Sequence, residues 1–180
     1  IVFFTIAMLP SLVGGQTKVF ADEATGPIKT KLHPRISTSP KWIWSIYLML
    51  TIACILSYYV AGMGLFDSFN YAMTTTATGG FSTHNTSTAF FHSPSLEYIC
   101  TFFCFLSGVN FTLLYAAVIK FKIKELFRNS EFRFYIFLVT VFSIFIMVEL
   151  IVMRNYDIEH AFRSAIFQVV SFITTTGLFN

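Results

Sequence analysis

The chain has 180 residues, 55% of them apolar and 18% aromatic with 23 Phe, and only 12% are charged. A soluble domain carries about 25% charged residues, so a soluble enzyme, a disordered chain and a DNA-binding module are all excluded. The net charge of +3 says less than the placement of the charges along the chain.

The chain opens on an apolar run from Ile1 to about Val13, too short to cross a bilayer. It reads as the tail of a helix in a piece cut from a longer protein, with no basic region of the signal-peptide kind. A connector follows that holds Lys18, Lys29, Lys31, Arg35 and Lys41. Three apolar runs of spanning length come next, Trp42–Met63, Tyr98–Ile119 and Phe134–Met153. At ~1.5 Å rise per residue, twenty-odd residues match a hydrocarbon core about 30 Å thick. The second connector carries Lys120, Lys122, Lys124, Arg128 and Arg133, whereas Gly64 to Glu97 contains no Lys or Arg. Basic connectors stay on the cytoplasmic side, so 64–97 and 154–180 are expected to face outward.

Those outward stretches are not ordinary loops. Leu65 to Met73 forms a short apolar segment with Asp67 as its expected cap, and it runs into Thr74-Thr75-Thr76-Ala77-Thr78-Gly79-Gly80-Phe81-Ser82-Thr83. The design returns with Asp157 as a cap, Ala161–Phe172, and then Thr174-Thr175-Thr176-Gly177-Leu178-Phe179-Asn180. Apolar segments of 10–14 residues read as re-entrant or buried helices. Irregular backbone at membrane depth is tolerated where it lines a polar cavity or is buried in protein. Glycine lets consecutive carbonyls turn to one side, and rings of carbonyls replace the water shell of an alkali cation, as in the TVGYG loops of potassium channels. Thr78-Gly79-Gly80-Phe81 and Thr175-Thr176-Gly177-Leu178 fit that pattern. The C-terminal end of each short helix would favour a cation. One Thr/Gly string alone is most often a packing device; two, each after a short helix, point to an ion path.

Other chemistry finds little material. Cys54, Cys100 and Cys104 all lie in apolar runs and read as small fillers. Glu149 is the one ionisable group inside a span, with Arg154 near enough to pair with it, and Asn110 beside Gly108 reads as a packing group. His84, His92, Glu97, Glu159 and His160 lack metal-ligand spacing. No activated nucleophile is legible, so an intramembrane enzyme or a non-transporting scaffold with Thr/Gly packing motifs is the alternative to a transport protein.

Gly26-Pro27-Ile28, Lys31-Leu32-x-Pro34-Arg35-Ile36, Gly62-Met63-x-x-Phe66-Asp67, the string from Thr75 to Thr83, Gly108-x-Asn110-Phe111 and Thr174-Thr175-Thr176-Gly177 occur in that order. On these residues the chain resembles the membrane subunit of Trk-type potassium uptake systems in the Trk/Ktr/HKT superfamily, most closely its TrkH branch. The resemblance implies an all-α polytopic membrane protein of helix–pore-loop–helix repeats with re-entrant half-helices, four to a pore. Residues 1–20 would end repeat one and 21–40 would be a cytoplasmic connector. Residues 41–125 would form repeat two, with spans 42–63 and 98–119 around a pore helix and filter at 65–83. After a connector at 126–133, residues 134–180 would begin repeat three, with span 134–153 and its pore helix and filter at 157–180. Such a piece holds two filter quadrants of four. The potassium-binding filter would comprise Thr78, Gly79, Gly80, Phe81, Thr175, Thr176, Gly177 and Leu178, although Leu178 stands where an aromatic is more usual. The resemblance further implies potassium as the bound ion, no other metal, no organic cofactor and no catalysis. It also implies a multi-pass inner-membrane location amid lipids, a homodimer, and a cytosolic nucleotide-binding regulator of the TrkA or KtrA type.

Overall fold

The structure is a computed structural model that describes residues 39–118 and 123–180. The expected end of repeat one at 1–20, nearly all of the first connector, and Lys120 and Lys122 lie outside the described residues. All regular structure among the described residues is helical: α1 Ser39–Val60, α2 Leu65–Thr76, a short 3-10 turn at Ser87–Phe91, α3 Pro94–Ser107, α4 Phe111–Val118, α5 Ile123–Arg128, α6 Ser130–Arg154 and α7 Ile158–Ile173.

The helix ends follow local chemistry. Asn129 caps α6, its side-chain oxygen accepting from Glu131 N (2.8 Å) and Phe132 N (3.4 Å), with Glu131 in the first turn and Arg154 in the last. Asn129→Ala is expected to cost about 1 kcal/mol, read as a lower melting midpoint in detergent. Pro94 opens α3 at the position where a missing N–H matters least. Asp157 holds the N-cap position of α7, as expected, although its side chain makes no capping bond. Asp67 does not cap α2. The N-cap is Gly64, and Asp67 stands in the first turn, where it accepts from Thr83 Oγ1 (2.6 Å) and lies 3.5 Å from His84 Nε2.

The spans differ in detail from the apolar runs. α1 starts three residues before Trp42 and ends before Met63, while α6 contains the whole Phe134–Met153 run. At 25 residues α6 is long and apolar enough to cross a bilayer. Its exposed Phe134, Phe137, Phe145 and Val152 suit a hydrocarbon surround. The run at 98–119 is not one helix. α3 stops at Ser107, Gly108 caps it, and the Asn110 carbonyl accepts from the N–H groups of Leu113 and Leu114 to start α4. A glycine, with the weakest helix propensity after proline, and an asparagine that favours helix starts interrupt a segment that is apolar by composition.

The chain divides into two units. Among the described residues, one comprises Leu50–Val109 and Asn129–Asn180; the other comprises 39–49 together with 110–118 and 123–128. In the latter, Tyr47 meets Phe111 edge-on, with ring centroids 6.4 Å apart. In the former, Cys54, Tyr58, Tyr71, Ala72, Cys100, Cys104, Phe167, Val170 and Leu178 build one core. All three cysteines are free and buried, consistent with their role as fillers. Glu149 is exposed, and no ion pair joins it to Arg154 among the described residues.

Candidate functional site

The two short helices end in the same way, 97 residues apart. Ala77 and Thr174 are the C-caps; the residues after them, Thr78 (φ 51°) and Thr175 (φ 59°), are left-handed. Thr78 N donates to Thr75 O and Gly79 N to Thr74 O (3.3 and 2.8 Å); Thr175 N donates to Phe172 O and Thr176 N to Ser171 O (3.0 and 2.9 Å). This is the Schellman closure of a helix, in which the left-handed position is usually glycine. A β-branched residue there is an outlier that costs roughly 1–2 kcal/mol. Finding threonine at both positions marks strain stored at a site rather than a chance turn.

The left-handed pattern then repeats at Gly80 (φ 70°) and Gly177 (φ 78°), with Gly79 and Thr176 outside that region. Alternating handedness gathers successive N–H groups on one face and leaves the carbonyls on the other. Five of the six N–H groups are occupied: those of Thr78, Gly79, Thr175, Thr176 and Gly177 bond to carbonyls of the preceding helix, and beyond Gly80, Phe81 N donates to Thr74 Oγ1 at 2.7 Å. No donor reaches the carbonyls of Thr78, Gly79, Gly80, Thr175, Thr176 or Gly177 among the described residues. Gly79, Thr175 and Gly177 are exposed, and Thr78 and Gly80 are half-buried. Both strips therefore carry unpaired acceptors and retain an open side.

The strips touch each other. A Cβ on Gly80 would collide with the Thr176 carbonyl oxygen and lie 3.4 Å from the Gly177 carbonyl carbon. The two glycine-bearing turns singled out in the sequence thus meet in space. Beyond them, the 3-10 turn straps the second strip: Thr88 N and Oγ1 both donate to Phe179 O (3.2 and 2.6 Å), and Phe179 N donates to Ser87 Oγ (3.3 Å). Tyr71 Oη, buried in α2, donates to Ser87 O at 2.9 Å.

Threonine hydroxyls brace the strips from behind. Thr76 Oγ1 lies 3.1 Å from Thr51 Oγ1, Thr75 Oγ1 lies 3.1 Å from Tyr58 Oη, and Thr174 Oγ1 lies 2.8 Å from Thr176 Oγ1. The fourth positions of the strips diverge. Phe81 is 81% exposed, whereas Leu178 is 1% exposed and sits in the core. Its carbonyl accepts from Ser171 Oγ at 2.6 Å, so Leu178 closes its strip against α7 instead of offering an oxygen to the open side.

Sequence reasoning missed a buried charge cluster beside the end of the second strip. Arg163 is 7% exposed and donates through Nε to Glu97 Oε2 (3.0 Å) and through Nη1 to Glu159 Oε1 (2.7 Å). Glu97 and Glu159, weighed above only as metal ligands, are engaged by this arginine. The available signal was a charge inside a short apolar helix, which calls for a partner.

Re-entrant helices that end in carbonyl-bearing strips, beside a long apolar helix, define a helical membrane protein of the pore-loop class. A profile of the TrkH cation transport proteins matches residues 1–179. The chain belongs to this TrkH family of cation transport proteins. The Trk system potassium uptake protein TrkH of Halomonas elongata is 37% identical over 178 residues, covering 98% of this chain and 37% of that protein. The Trk system potassium uptake protein TrkG of Escherichia coli K12 is 35% identical over 179 residues, 99% of this chain and 37% of that protein. The crystal structure of the potassium transporter TrkH from Vibrio parahaemolyticus superposes with a TM-score of 0.78 at 34% identity, over 99% of this chain and 36% of that one. The chain thus spans a little over a third of the length of the relatives it matches.

Proposed function

We propose that this chain contributes two strips of a potassium-selective filter to a Trk-type uptake protein of the cell inner membrane. The observation that carries the reading is the division of labour along each strip: the N–H groups of Thr78, Gly79, Thr175, Thr176 and Gly177 tied back to the short helix, the carbonyls of Thr78–Gly80 and Thr175–Gly177 without donors. A dehydrated alkali cation needs such oxygens in place of its water. The strain at Thr78 and Thr175 fits a backbone held open for a ligand. The names of the relatives, potassium uptake proteins, agree with the ion.

The filter uses six of the eight residues named from the sequence as oxygen donors, with Phe81 and Leu178 as the outer ends of the strips. Two strips cover only part of an ion's shell, so a closed ring takes further strips, in keeping with four repeats per pore. The segments 64–97 and 154–180 face outward and the basic connectors face the cytosol. The whole transporter works as a homodimer among lipids with a cytosolic nucleotide-binding regulator of the TrkA or KtrA type.

The test is expression of the gene's full open reading frame in a bacterium lacking potassium uptake. Growth at low potassium and uptake of rubidium are expected, and a scaffold with packing motifs would give neither. Loss of dimers after crosslinking, or no retention of the regulator on affinity capture, would remove the assembly part alone.

A further inference from the structure

The outer end of the second strip is held by a network that no filter chemistry requires. Glu97 Oε2, at the start of α3, accepts from Arg163 Nε of α7 (3.0 Å) and from Asn180 Nδ2 (3.0 Å), three residues beyond Gly177. Asn180 Nδ2 also donates to Ser164 Oγ (3.3 Å), and its Oδ1 accepts from Gln168 Nε2 (2.8 Å). Arg163 is fixed in turn by both oxygens of Glu159 (2.7 and 2.9 Å), and Tyr98 Oη donates to Glu159 Oε1 (3.1 Å).

A guanidinium buried to this degree is a costly element unless it is paired. Here it has two carboxylates, so the three groups sum to a charge of −1, tolerable beside a cation path. Its fork geometry fixes the Glu97 carboxylate in one orientation, and that carboxylate then fixes the Asn180 amide. On the other side of the strip end, Phe179 is held by Thr88 and Ser87. The chain leaving Gly177 is thereby clamped from two directions, within three residues of carbonyls that have no bonds of their own.

Resting on the filter reading above, we infer that Arg163 is a positioning residue for ion selectivity: through Glu97 it sets Asn180, and through Asn180 the spacing of the Thr175–Gly177 carbonyls. It touches no ion. Discrimination between potassium and sodium depends on where the oxygens stand, so a strip with a loose outer end still passes ions but sorts them poorly.

The experiment measures potassium-over-sodium uptake ratios in cells expressing the full open reading frame, with membrane abundance scored in parallel. Arg163→Gln and Asn180→Ala are each expected to lower the ratio about tenfold while ion flux persists, the scale of a lost hydrogen bond to a charged group. Arg163→Lys, which keeps the charge but not the fork, is expected to recover part of it. Should Arg163→Gln fail to reach the membrane, Asn180→Ala decides, since it leaves the ion pairs intact. Ratios within twofold of the parent for Asn180→Ala and for every Arg163 variant that reaches the membrane overturn the inference. Gly80→Ala, assayed alongside, separates the two levels. If it disturbs the ratio and the others do not, only the positioning role falls. If it too is silent, the filter reading falls and takes this inference with it.

Discussion

Gly80→Ala in the full open reading frame is expected to abolish selective potassium uptake. Two costs combine at this position. The backbone is left-handed at φ 70°, which an L-residue adopts at roughly 1–2 kcal/mol. The added methyl also runs into the Thr176 carbonyl, a backbone group that cannot rotate away. Overpacking of this kind typically costs about 1–3 kcal/mol. Relief comes only by separating the two strips, and that moves the oxygens an ion would bind. Gly177→Ala supplies the contrast. Its φ of 78° carries the same dihedral cost, but nothing lies within 4 Å of the new methyl. Uptake ratios and melting midpoints of the two variants should therefore separate, with Gly80→Ala the more damaging. Equal and mild effects would show that contact between the strips does not matter.

Gly108→Ala is expected to have the second largest effect, although Gly108 belongs to neither strip. A Cβ there would stand 2.6 Å from Thr174 Cγ2 and 2.8 Å from Tyr135 Oη. Thr174 has little freedom to yield. It is buried, β-branched, and bonded through Oγ1 to Val170 O and Thr176 Oγ1, both at 2.8 Å. Tyr135 can move only by giving up its bond to Phe105 O (3.2 Å) and its stacking on Phe105. The methyl therefore pushes on the C-cap of α7 and, through it, on Thr175. A loss of about 1–3 kcal/mol in stability is expected together with weaker potassium selectivity. Melting in detergent and uptake ratios check the two parts separately, and a variant that melts like the parent would rule out the close approach of α3 to α7.

The strips were legible in the sequence because they rest on chemistry that composition records: glycine where dihedrals are unusual, and threonine-rich strings after short apolar segments. The left-handed threonines were not legible, since Thr78 and Thr175 look like any others in their strings and only the helix closure exposes them. Hydropathy read 98–119 as one span, because an apolar run does not register where the backbone ladder breaks at Gly108–Asn110. Asp67 looked like a cap because an acid near a helix start fits either the cap or the first turn. The Arg163 network joins residues 66 and 83 positions apart, and no local pattern carries such pairs. Leu178 shows the opposite limit: its place in the string suggested a rung, and burial against α7 made it a core residue.

The contact between Gly80 and Thr176, with the strap from Thr88 to Phe179 across 91 positions, has a consequence for biosynthesis. The first strip emerges from the ribosome well before its counterpart exists. At about 5–20 residues per second the interval is on the order of 5–20 s. During that time the Gly79–Ser82 turn has no opposing backbone, and closing so long a loop carries its own entropic toll. Nascent chains arrested shortly before residue 174 should leave a cysteine placed at Ser87, which is buried beside Phe179 in the complete fold, open to a water-soluble thiol reagent, and release of the remaining residues should protect it.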